Sequence, residues 1–232
     1  MFLFDPTWFL LIPALIFALW AQWKVQHTYN RMMQVRASNG LTGRDMARAI
    51  LSRNGIDDVQ IEEVQGVLSD HYDPASKKVR LSAPVYEGSS LASIAVAAHE
   101  IGHVLQHKER YAPLAIRSAI VPVANFGSTL AFPLFFIGFL FGRNLGQFSN
   151  LLMDLGILFF TGAVAFQMVT LPVEFDASKR ALRQLTETGA LAPQEVGLAK
   201  QVLDAAALTY VAAAAMAALQ LLRLIILRRS RN

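Results

Sequence analysis

The chain alternates between long apolar runs and polar stretches that carry nearly all of its charge. Apolar blocks cover residues 2–23, 119–141, 151–173 and 205–227. At about 1.5 Å of rise per residue, a helix of this length crosses about 30 Å of hydrocarbon. The second and third blocks are separated only by the short polar link 142–150, which predicts a helical hairpin. Trp8, Trp20 and Trp23 lie towards the ends of the first block, where an amphipathic ring suits a membrane interface. Asp5 stands where a signal peptide would carry basic residues, and no A-x-A cleavage site follows, so the block reads as an uncleaved anchor.

The polar stretches predict regular structure of their own. Thr42 is placed to cap a helix running through Arg53 and ending at Asn54-Gly55. Residues 59–65 and 78–82 predict two short strands, with turn chemistry over 68–76 between them. Ser89 or Ser90 is placed to cap a helix over 91–109. Residues 174–204 predict a helical segment broken near Gly189 and Pro193.

Composition narrows the chemistry. Of 232 residues, 54% are hydrophobic and 16% charged, which is apolar-rich for a soluble domain. The absence of cysteine excludes disulfides, cysteine zinc sites and thiol nucleophiles. A metal site must then draw on carboxylates and the five histidines. The net charge of +4 comes from Lys and Arg flanking the apolar blocks, so it reads as topology and not as a nucleic-acid surface; no nucleic-acid partner is expected.

Residues 99–103 read His-Glu-Ile-Gly-His. On a helix, positions i and i+4 share a face, so both imidazoles reach one ion. The adjacent Glu100 is then placed to take a proton from a water on that ion. The flanks are uncharged from Leu91 to Val104, and burying His99, Glu100 and His103 without a partner would cost several kcal/mol. A metal removes that cost. His107 is excluded as a further ligand, because eight residues of helix set it about 12 Å from His99. The third ligand therefore comes from elsewhere. Glu174 stands two crossings further on, which returns the chain to the same side; Asp176 is the rival ligand, or an acceptor behind a ligand histidine. For an oxyanion or substrate contact the candidates are His71, Tyr72, Arg180 and Arg183. The strand over 78–82 is a candidate edge for an extended substrate. Asp154, inside the third block, reads as an interfacial carboxylate.

Four stretches together carry a resemblance: Ala97 to Gln106, the strand end Leu81-Ser82, Asp70-His71-Tyr72-Asp73-Pro74, and Leu171 to Ser178. They resemble the YugP-type neutral zinc metallopeptidases of bacterial membranes over nearly the whole chain. The resemblance implies a zinc endopeptidase holding one Zn²⁺ per chain through His99, His103 and Glu174, with Glu100 as catalytic base. It implies a multi-pass protein of the bacterial cytoplasmic membrane acting on protein or peptide substrates. The similar HtpX-type enzymes place an Asp four residues after the ligand Glu, where this chain has Ser178.

The expected fold is a mainly α integral membrane protein with about four transmembrane helices and a small α+β zincin-like soluble segment. Its expected parts are an anchor (1–23), a soluble catalytic segment (24–114), a transmembrane hairpin (115–173), a helical segment with the third ligand (174–204), and a last transmembrane helix with a basic tail (205–232). Positive charge on 24–118 and 174–204 sets the active site on the cytoplasmic side, although Arg228, Arg229 and Arg231 then fall outside. The competing function is a non-catalytic zinc-binding membrane scaffold.

Overall fold

The computed structural model describes residues 6–142 and 146–231. The start of the first apolar block, Asp5 included, and Arg143 in the polar link lie outside the described residues. After a short 3₁₀ turn at Pro6–Leu11, the elements are α1 (Ile12–Met33), α2 (Gly43–Arg53), β1 (Gln60–Val64), β2 (His71–Asp73), β3 (Lys78–Ser82), α3 (Ala83–Tyr86), α4 (Leu91–Lys108), α5 (Ala112–Leu140), α6 (Gln147–Glu187) and α7 (Pro193–Arg229). The chain forms two compact units.

One unit comprises residues up to Trp20, Ala115–Leu171 and the chain from Tyr210 onward. Among the described residues four helices are long and apolar enough to cross a membrane, and only 17–28% of their most apolar windows is buried within the protein. Side chains such as Leu15, Ile16, Leu19, Val123, Phe126 and Leu158 therefore present an apolar outer surface, as lipid-facing helices do. Inside, Phe135, Met153 and Leu224 are fully buried. Gly156 sits where a Cβ would come within 2.7 Å of the Ala131 carbonyl, so its lack of a side chain lets α5 and α6 close. Asp154 is ion-paired with Arg228 at 2.8 Å. Arg223 lies over the Trp8 ring at 4.0 Å and donates to Thr7 Oγ1. Arg231 donates to the carbonyls of Gly138 and Phe139, the orphan acceptors at the end of α5. Arg228 and Arg231 of the basic tail thus have partners inside their own helical bundle.

The other unit comprises Ala21–Leu114 and Pro172–Thr209. Thr42 and Asp45 form a reciprocal capping box at the start of α2, and Asn54 closes its end with Gly55 at φ +60°. Ser90 caps α4 by accepting from Ser93 N at 3.0 Å. The sheet differs from the two-strand expectation. β2 forms within the predicted turn and pairs antiparallel with β3, while β1 pairs parallel with it, giving the order β1-β3-β2. Asp73 makes the turn by accepting from Ala75 N at 2.9 Å, and Lys77 follows at φ 54°. β3 is therefore central and cannot be the edge that accepts a substrate strand. Its alternating Val79 and Leu81 are fully buried among Met46, Ile50, Ile94 and Ile101.

The third apolar block and the first part of the polar segment after it, up to Glu187, form one helix. α6 continues past Val173 to Glu187 despite Pro172. Val173, Ala177, Ala181 and Leu185 recur every four residues and are all fully buried. Replacing Thr42 with Ala removes the side-chain acceptor for Asp45 N but keeps the backbone bond to the Asp45 carboxylate, and the thermal unfolding curve in detergent is expected to show a loss of about 1 kcal/mol.

Candidate metal centre

α4 carries the H-E-x-x-H motif on its buried face. Leu91, Ala92, Ile94, Ala95, Ala97 and Ile101 pack into the core with no exposure, so the helix has few rotational options and the imidazoles point one way. The rings of His99 and His103 stand 4.9 Å apart at 85°. Glu174, on α6, meets both: its Oε2 is 3.2 Å from His99 Nε2 and 3.6 Å from His103 Nε2. All three ligand atoms lie within 4.8 Å of one another. Atoms held at about 2.0–2.1 Å by a tetrahedral ion stand about 3.3 Å from each other, so the donor set fits zinc.

The outer ring nitrogens fix which atoms face inward. Gln106 Nε2 donates to Val173 O at 2.7 Å and to Asp176 Oδ2 at 2.9 Å. Both partners are pure acceptors, so the amide orientation is determined and Oε1 is left to accept. His103 Nδ1, 3.0 Å away, then carries a proton and donates, which in the neutral ring leaves Nε2 as the nitrogen with a lone pair towards Glu174. His99 Nδ1 pairs with Ser178 Oγ at 3.1 Å. A proton or a metal cation at the inward ring nitrogens balances the Glu174 charge.

The close approach of the two helices depends on Gly102. A Cβ there would lie 2.4 Å from the carbonyl oxygen of Ala177, which no side chain tolerates. That contact sets the backbone of α4 against the turn of α6 following Glu174.

Glu100 is buried beside the cluster. Burial, the largest influence, pushes its carboxyl above the usual range; the two imidazoles pull the other way, and the charges of Glu174 and Asp70 add to the rise. Asp70 is itself held by Ser82, whose backbone N donates at 2.7 Å, and burial pushes its carboxyl up as well.

The remaining sequence candidates have other partners. Asp176 meets neither imidazole; it accepts from Gln106 and from Arg180 Nε at 2.5 Å. Arg180 also reaches Glu109 at 2.6 Å, and so is tied to the cluster only through Asp176 and Gln106. Arg183 is exposed and paired with Glu187. His71 bonds the Ser69 carbonyl and Arg80. The Tyr72 hydroxyl pairs with His107 Nδ1 at 2.7 Å, and burial pushes it up to about 12. Gln106 and Ser178 went unrecognised as partners of the histidines, although each lies three or four residues from a ligand on the same helix face.

Comparison with known proteins bears on this arrangement. Residues 7–229 match the model of a family described as "Putative neutral zinc metallopeptidase". A relative from Bacillus subtilis (strain 168), "Putative membrane protease YugP", is 48% identical over 219 residues, 94% of this chain and 95% of the relative. No solved structure matches the chain. Exchanging Gly102 for Val forces α4 and α6 apart, and a thermal melt in detergent is expected to show about 1–3 kcal/mol of lost stability; an unchanged melt would mean that the helices do not touch there.

Proposed function

The chain belongs to the neutral zinc metallopeptidase family, and on that premise we propose that it is a membrane-embedded endopeptidase hydrolysing peptide bonds in protein or peptide substrates. The observation that carries the reading is the convergence of His99, His103 and Glu174 from two helices on one point, with a buried carboxyl beside it. In this reading His99, His103 and Glu174 hold one zinc ion per chain. The chemistry a zinc ion supplies when held there is polarisation of the scissile carbonyl and acidification of a water towards about pH 7.

Glu100 does the proton work. Its carboxylate takes the proton from the attacking water and returns it to the departing amine nitrogen. A carboxyl raised by burial suits both steps, since it must accept and then release at nearly the same pH. Gln106 and Ser178 hold the imidazoles so that their lone pairs face inward. The non-catalytic scaffold remains the alternative, and Glu100 weighs against it, because a purely structural site gains nothing from a buried carboxyl that binds no ligand.

We place the protein in the bacterial cytoplasmic membrane with the active site facing the cytoplasm. The positive-inside asymmetry supports that side, and two of the three tail arginines that opposed it, Arg228 and Arg231, have partners within the bundle.

Elemental analysis of the protein in detergent should find one zinc per chain, and Glu174→Ala should lose it. Glu100→Gln should keep the metal and lower cleavage of an unfolded protein by at least about a thousandfold, the scale of losing a general base and more; full cleavage by that variant would remove Glu100 from the mechanism. The lack of native cysteine allows a topology test. Glu63→Cys, on exposed β1, should react with an impermeant maleimide only after the cells are permeabilised, and labelling of intact cells would put the site outside.

A further inference from the structure

Gln106 is fully buried, and every donor and acceptor of its amide is engaged. Its oxygen accepts from His103 Nδ1, and its nitrogen reaches the carbonyl of Val173, the residue immediately before Glu174. A single amide therefore spans the ring of one ligand and the backbone carrying another, across 67 residues of chain. The same nitrogen holds Asp176, which Arg180 grips from its other side at 2.5 Å. Arg180 continues to Glu109 and lies over the Tyr111 ring at 5.7 Å. Two carboxylates, Glu174 and Asp176, thus stand two residues apart on α6, and only one is turned to the histidines.

We propose that Gln106 is the positioning residue of the metal centre: it aims His103 and, with Arg180, holds Asp176 out of the ligand set so that Glu174 alone completes it. This rests on the zinc reading above. A carboxylate at position 106 would do only half the task. It would accept from His103, but it would face Asp176 and the Val173 carbonyl with no proton to give. An amide is the group that accepts on one side and donates twice on the other.

The test uses the full-length protein in detergent, with zinc affinity measured by chelator competition and the cobalt-loaded form followed by its visible absorption. Gln106→Leu should weaken zinc about 10–100-fold, the usual effect of losing a partner behind a metal ligand, and should shift the cobalt bands. Gln106→Glu should be as weak. Adding Asp176→Asn to Gln106→Glu conserves charge and restores a donor opposite position 106, and should tighten zinc at least about threefold over Gln106→Glu while staying short of wild type, because the Val173 carbonyl still has no donor. Asp176→Ala should still bind one zinc per chain.

Wild-type affinity in Gln106→Leu, or a doubly exchanged variant no tighter than Gln106→Glu, would overturn the proposal. Loss of the metal in Asp176→Ala would do so too, since it would make Asp176 a ligand. If Gln106→Leu fails to fold, the exchanged pair decides alone. A wild-type protein that binds no zinc would fail earlier and would refute the metallopeptidase reading itself.

Discussion

The contact of Gly102 with the Ala177 carbonyl is the constraint on which the centre depends. Glu174 lies one turn before Ala177, on a stripe in which Val173, Ala177, Ala181 and Leu185 are wholly buried. Two helix backbones that touch leave little freedom in register, so a carboxylate on one meets imidazoles on the other. The glycine inside the motif therefore fixes where Glu174 on the second helix meets the two histidines.

Burial gives that geometry its electrical character. Glu100, His103, Gln106 and Glu174 are all inside the protein, where an unsatisfied polar group costs more than it would in water. Gln106 is satisfied through the protein alone. The inward imidazole nitrogens and the Glu174 carboxylate instead face each other, where a shared proton or a bound cation balances the charge. The same low polarity that makes this costly raises the Glu100 carboxyl. In the proposed reaction one environment thus serves both metal capture and proton transfer.

What could be read from the chain follows from the range of the interaction concerned. The i,i+4 pair His99–His103 and the Thr42 capping box are local, and the pattern of residues suffices to place them. Glu174 was reachable by counting crossings, because an even number returns the chain to one side. β2 was not reachable: His71–Asp73 has turn composition and becomes a strand only by pairing with β3. The unbroken α6 was also hidden, since the change from apolar to polar at Glu174 resembles an end, whereas the Val173–Leu185 stripe continues it. Gln106 carries no signal of its own beyond closing the Ala97–Gln106 stretch. Its meaning lies in Val173 and Asp176, far along the chain.

A donor set taken from α4 and α6 has a further consequence. Because His99 and Glu174 are 75 residues apart, any ion shared between them is a reversible cross-link that closes a long loop. Such a link strengthens the native state by mass action, about 1.4 kcal/mol for each tenfold excess of free ion over the dissociation constant. The resistance of this protein to unfolding would then follow the metal supply of the cell, with a starved chain softest at the place where its chemistry is done.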